Sequence, residues 1–198
     1  MFKNVIIKRE IFRIKKDVAK KIFSFGASSF VTQMSITLVQ ITINNTIRHF
    51  GAMSVYGTDI PLSVIGIVMK VNMVVTSVIL GIAIGSQPIW GYNYGAGRFD
   101  RVRKTYRISI MSASVFSITG FLVFQIFTPQ VVGIFGSESQ LYNEFAVMAF
   151  RIFLSGIFVL GFQITSAIYF QAVGKPLKSA FLSLLRQALL LAPLAFIL

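Results

Sequence analysis

The sequence predicts an all-α integral membrane protein, a polytopic helical bundle of about five transmembrane helices with no soluble domain. Three observations predict it. First, 55% of its 198 residues are hydrophobic and only 13% are charged, whereas a soluble domain averages about 45–50% and about 25%. Second, long segments without charge recur, and a backbone in lipid must satisfy its polar groups internally, so helices are the natural spanning element. Third, the basic residues fall in blocks between those segments. Eight Lys and Arg lie in residues 1–21, five in 98–107 and three in 175–186, which leaves Arg48, Lys70 and Arg151. Such spacing is what the positive-inside rule produces. A net charge of +13 would also suit a nucleic-acid binder, but no nucleic-acid-binding motif accompanies it, so no such partner is expected. The chain has no cysteine, hence no disulfide framework.

In order, residues 1–21 read as a cytoplasmic amphipathic linker helix. Ile6, Ile7, Ile11, Ile14 and Val18 recur at spacings of three and four among Lys and Arg, which suits the surface of an anionic leaflet. Residues 22–198 form the transmembrane bundle, with spans at about 22–47, 60–84, 108–128, 145–171 and 178–198. The first span runs outward. It carries Gln33, Gln40 and Asn44, which share one helical face and either line a cavity or hydrogen-bond to another helix. The loop 48–59 holds the sole histidine, His49, read as a surface residue. Thr58 or Asp59 can cap the next helix, and Pro61 fits its first turn.

The second span runs inward with Lys70 near its middle. A centred lysine costs about 2.5–3.5 kcal/mol for insertion, which the surrounding Ile, Val and Leu offset. Lys70 must therefore face the bundle interior or a cavity, or pair with a carboxylate on another helix. Met73, like Met69, suits either an adaptable ligand-contacting wall or core packing. Gly81 and Gly85 allow close helix approach. The span is expected to end at Gln87-Pro88 and surface into a tight turn containing Gly91, Gly95 and Gly97. The basic run from Arg98 to Arg107 is read as the loop that follows. This glycine-rich stretch lacks the strand before it and the Lys-Ser/Thr after it that a phosphate loop needs.

The third span runs outward to Pro129. The outer loop after it carries Glu138 and Glu144 without Lys or Arg, which supports the same orientation. The fourth span has Arg151 in its outer third and Gln163 deeper, with Gly156 and Gly161 placed to bend it. Residues 174–178 form a short inner turn, and the fifth span carries Arg186. No catalytic set, metal-ligand cluster or cofactor fingerprint appears, so the expectation is a non-enzyme without cofactor or metal.

The stretch from Gly81 to Lys104, GIAIGSQPIWGYNYGAGRFDRVRK, resembles the loop after the second helix of the C-terminal lobe in the multidrug and toxic compound extrusion (MATE) family. Its family wording rests on Gly85, Gln87, Pro88, Gly91, Tyr92, Asn93, Gly95 and Gly97. The Ile43-Asn-Asn-Thr46 stretch and the run from Phe170 to Pro176, leading to Leu184-Leu-Arg-Gln187, resemble the family in the expected order. The resemblance implies a linker helix plus the first five spans of a six-helix lobe, without the N-terminal lobe and the last span. It implies an antiporter in the cytoplasmic membrane, its N-terminus cytoplasmic, exporting cationic or amphipathic drugs in exchange for protons or sodium ions. Sodium-coupled members place carboxylates in the first and fourth spans of this lobe. Residues 22–47 and 145–171 have none, which favours protons. Gln33, Gln40, Asn44, Lys70, Met73 and Gln163 are the expected cavity-lining residues. Two alternatives stand beside this reading: a lipid-linked oligosaccharide flippase of the same superfamily, and a non-transporting assembly or regulatory subunit.

Overall fold

The computed structural model describes residues 16–135 and 139–185. The expected linker helix before Lys16, Glu138 of the outer loop, and Arg186 with the rest of the fifth span lie outside these residues. The described residues fold into helices with no strand among them. In order these are α1 (Lys16–Met53), α2 (Asp59–Gly95), α3 (Phe99–Ile126), the short α4 (Thr128–Ile134), α5 (Gln140–Phe153) and α6 (Ile157–Ala172). A further helix, α7 (Pro176–Leu185), follows. Three stretches are long and apolar enough to cross a membrane: α2, α3 and the α5–α6 run. At 38 residues α1 is also long enough, reaching about 57 Å at 1.5 Å per residue.

Helices α2, α3 and α6 form the core. On α3, the residues that turn inward are Val102, Ser109, Ala113 and Ser117, a stripe of mostly small side chains that lets the backbones approach closely. Gly161 of α6 sits against this stripe. A Cβ there would overlap the Ala113 carbonyl and stand 2.6 Å from Ser117 Oγ. The Ser117 hydroxyl donates to the Phe158 carbonyl of α6 at 3.2 Å. The role of Gly161 is thus close packing rather than bending. The α-helical pattern is interrupted at Gly156 instead, where a 3-10 turn over Leu154–Gly156 separates α5 from α6. A Cβ added at Gly81 or Gly85 would have nothing within 4 Å, so this pair meets no helix among the described residues.

The α1–α2 connection shortens to Ser54–Thr58 because α1 continues to Met53. Gly57 takes φ +67°, and a Cβ on Gly51 would stand 2.7 Å from the Gly57 carbonyl oxygen, so both glycines serve this tight reversal. Thr58 occupies the N-cap position of α2 without a side-chain capping bond. Helix α1 rests on α2, and its Ile43 and Ile47 join Val64, Ile65 and Val68 of α2 in one buried core.

Helix α2 does not stop at Gln87-Pro88. It runs through Pro88 to Gly95. Proline removes one backbone hydrogen bond, but beyond it Trp90 is wholly buried, edge-on to Tyr106 of α3 and Tyr169 of α6. Burying an aromatic of that size outweighs one lost bond. The helix ends in a Schellman cap: the Gly97 N–H donates to the Tyr94 carbonyl and the Arg98 N–H to the Asn93 carbonyl, with Gly97 at φ +69°. Helix α6 ends the same way, Gly174 at φ +75° donating to Gln171 and Lys175 to Phe170. Only a left-handed residue closes this cap cheaply, and glycine supplies it. Because the cap reverses the chain in so few residues, α3 begins at Phe99. Arg101, Arg103, Lys104 and Arg107 therefore lie on its first turns instead of in a loop.

Candidate functional site

The exposed surface of the helices carries both apolar and polar groups. On α3, Ile108, Met111, Val115, Ile118 and Leu122 are all exposed at spacings of three and four, a continuous bulky apolar stripe of the sort that meets lipid. On α2 the exposed stripe reads Lys70, Met73, Ser77, Gly81, Gly85 and Pro88. Bulky apolar groups stand among these on the same face: Met73, which is 69% exposed, and Val74, Ile84 and Ile89, which are exposed as well. Beside it, α1 exposes Gln33, Thr37, Gln40 and Asn44 on one face, next to the Ile43 and Ile47 contact that holds α1 to α2.

These two stripes reach similar depths. The antiparallel α1–α2 hairpin fixes depth by distance from its turn. Gln40 lies about 20 Å along α1 from Met53, Lys70 about 16 Å and Met73 about 21 Å along α2 from Asp59. The carboxylates of the described residues, Asp17, Asp59, Asp100 and Glu144, all lie in the first two turns of helices. Among the described residues, therefore, no carboxylate stands at the depth of Lys70 on its own helix. An amide, a cation and a thioether share one level of the α1–α2 hairpin, and all three are exposed among the described residues.

Gln163 belongs elsewhere. It is buried, 4% exposed, and its side-chain amide donates to the Leu182 carbonyl of α7. It joins α6 to α7, and its Oε1 finds no partner among the described residues. Gln125 makes a similar bond, donating to the Arg151 carbonyl at 2.8 Å, while the Arg151 side chain is exposed. Arg151 lines an open cavity of about 600 Å³ with Glu144, Asn143 and Met148. Met148 also borders a second cavity, about 310 Å³, between the α1–α2 turn and α5, walled by Phe50, Tyr56 and Phe145.

The family-like stretch is divided by burial. Trp90 and Asn93 point inward, Tyr92 is 72% exposed, and Gly95 and Gly97 are exposed. Gly91 passes Ala172 closely, a Cβ there standing 3.6 Å from its carbonyl oxygen. Around Trp90 lies a polar layer that sequence reasoning did not single out. Ser86 and Ser109 hydroxyls are 2.7 Å apart, and Tyr106 and Ser166 hydroxyls 2.8 Å. Tyr106 and Tyr169 rings pack at 4.4 Å. Trp90 Nε1 and Thr165 Oγ1 are buried without partners among the described residues. The signal was present: Ser109, Ala113 and Ser117 repeat at four-residue spacing, and hydroxyls recur in otherwise apolar spans. Among the described residues no group of three or more His, Cys, Asp or Glu could hold a metal ion.

The arrangement has counterparts among solved structures. The MATE multidrug transporter DinF-BH, determined as a complex, shares 34% identity over 94% of this chain and 40% of its own, with a TM-score of 0.76. A MOP superfamily transporter from Pyrococcus furiosus, whose reverse-polarity binding pocket is described as suggesting a different function, shares 22% identity, covering 93% of this chain and 40% of its own, at TM-score 0.76. A MATE structure in the straight conformation gives 21% identity, 92% and 39% coverage, and TM-score 0.76. No curated protein matches the sequence. The chain thus spans about two fifths of the length of the solved transporters that it resembles. The MatE family model matches residues 28–197, nearly the whole of the membrane bundle, and the chain belongs to that family.

Proposed function

We propose that this chain is one lobe of a secondary transporter that exports cationic or amphipathic drugs across the cytoplasmic membrane, with protons as the coupling ion. The observation that carries the reading is the set of exposed polar groups on α1 and α2: Gln33, Gln40, Asn44 and Lys70. Lys70, Gln40 and Asn44 are too costly to leave in lipid, and they stand exposed at similar depths on the α1–α2 hairpin. Exposed polar groups at that depth suit the wall of a central cavity, closed by a partner lobe that rocks against this one. Substrate contacts fall to Gln33, Gln40, Asn44, Lys70 and Met73. Gln163, tied to α7, acts in this reading by holding the wall together rather than by touching substrate. Proton coupling rests on the absence of carboxylates from 22–47 and 145–171, since a sodium site needs several oxygen ligands, usually anionic. Transport of this kind needs no covalent chemistry, and no enzymatic role is assigned.

One observation favours a second reading. An exposed Lys70 with no carboxylate at its depth attracts anions and repels cationic drugs. A lipid-linked oligosaccharide flippase, with an anionic pyrophosphate to carry, would want it.

Dye export tests both. The chain is expressed with a six-span N-terminal lobe from the same genome, and export of a cationic dye is followed with and without a protonophore. Export that collapses with the protonophore supports the proposal, and Lys70→Gln should then raise export of cations. Absence of export from a correctly inserted assembly rejects it. Lys70→Gln abolishing transfer of a pyrophosphate-linked lipid would establish the second reading.

A further inference from the structure

The exposed face of α3 changes character along its length. Arg101, Lys104, Ile108, Met111, Val115 and Ile118 follow one another at spacings of three and four, so they lie on one face. The four apolar members are exposed, and so are the two basic ones. The side turned to α2 and α6 is the opposite one, carrying Val102, Ser109 and Ala113. One leaflet offers about 15 Å of hydrocarbon, half of about 30 Å, which about ten helical residues cover. Ile108 to Ile118 matches that length. Arg101 and Lys104 then stand one to two turns past its edge, at headgroup level. Arg103 and Arg107 flank them. Lys175 of the α6–α7 turn and Lys178 of the first turn of α7 lie at the same end, as the Trp90–Tyr169 ring contact requires. Tyr92 and Phe99, 72% and 59% exposed, complete the cation-and-aromatic border typical of a membrane interface.

We propose that this stripe binds an anionic glycerophospholipid, its tails along Ile108–Ile118 and its phosphate against Arg101 and Lys104. A zwitterionic headgroup carries its own cation and loses most of the attraction. Each Lys or Arg near the surface is worth about fivefold in binding. The site is independent of the transport reading, since it needs only the membrane-crossing helix and its charges.

The experiment uses the full chain in bilayers of phosphatidylcholine with phosphatidylglycerol, extracted gently and weighed by native mass spectrometry. The wild-type chain should retain phosphatidylglycerol in preference to phosphatidylcholine. R101Q/K104Q should lower that preference about 25-fold, while R48Q, near the outer end of α1, should leave it unchanged. Equal retention of both lipids by the wild type, or an undiminished preference in R101Q/K104Q, would overturn the proposal. If the double variant does not insert, added salt on the wild-type chain decides. Preference must fall as salt screens the headgroup contact, and a salt-insensitive preference would refute it.

Discussion

Glycine does three different things in this chain, and only substitution separates them. Gly161 lies where a Cβ would overlap the Ala113 carbonyl. Gly161→Ala should cost about 1–3 kcal/mol, as overpacking does, and lower the thermal midpoint of the purified protein in bilayer discs. Gly81→Ala, with open space around it, should leave that midpoint in place. Gly97 and Gly174 hold positive φ angles at helix caps, and Ala at either should cost about 1–2 kcal/mol through the left-handed backbone alone. The sequence placed Gly97 in a turn, because glycine clusters mark turns. It could not tell Gly161 from Gly156, since a lone glycine in a helix reads the same whether it bends the helix or admits a neighbour. Gln163 was equally ambiguous. An amide in an apolar span serves cavity and helix contact alike, and only the position of the Leu182 carbonyl shows which bond it makes.

At the level of helices, hydropathy made α2, α3 and the α5–α6 run legible, because lipid demands long apolar segments whatever the tertiary contacts. The end of α2 and the start of α3 were not. Pro88 looked like a stop because local rules see a missing N–H, whereas the burial of Trp90 among three helices is a tertiary fact. Trp90→Ala should therefore cost about 3–5 kcal/mol, measured by thermal unfolding, and melt the last turns of α2. Pro88→Ala should be tolerated, with amide exchange of residues 84–92 unchanged or slowed. Faster exchange there would mean that the proline, not the tryptophan, shapes this segment. The polar layer of Ser86, Ser109, Tyr106 and Ser166 was missed because each hydroxyl alone is common in membrane helices. Its pairing becomes visible only when three helices meet.

At the scale of the whole molecule, the bundle has a basic end and exposed polar groups on α1 and α2, and function is proposed from both. The basic end, Arg98 to Arg107 with Lys175 and Lys178, should lie in the cytoplasm. The chain has no cysteine, so single introduced ones report cleanly. Arg101→Cys should react with an impermeant thiol reagent from the cytoplasmic side only, and Val55→Cys, 85% exposed in the α1–α2 turn, from the outside only. The reverse pattern would invert the topology. Charge blocks made this end legible from the sequence, while the exposure of Lys70 needed the fold to show which residues remain uncovered. The most direct measurement is thiol accessibility at Lys70→Cys in the assembled transporter, compared with Met111→Cys on the lipid-facing stripe of α3. A water-reached cavity wall predicts rapid reaction at position 70 with a polar reagent, slowed by an amphipathic cation, and no reaction at 111. Position 70 as inert as 111 would contradict the account, because Lys70 would then face lipid or protein instead of a transport path.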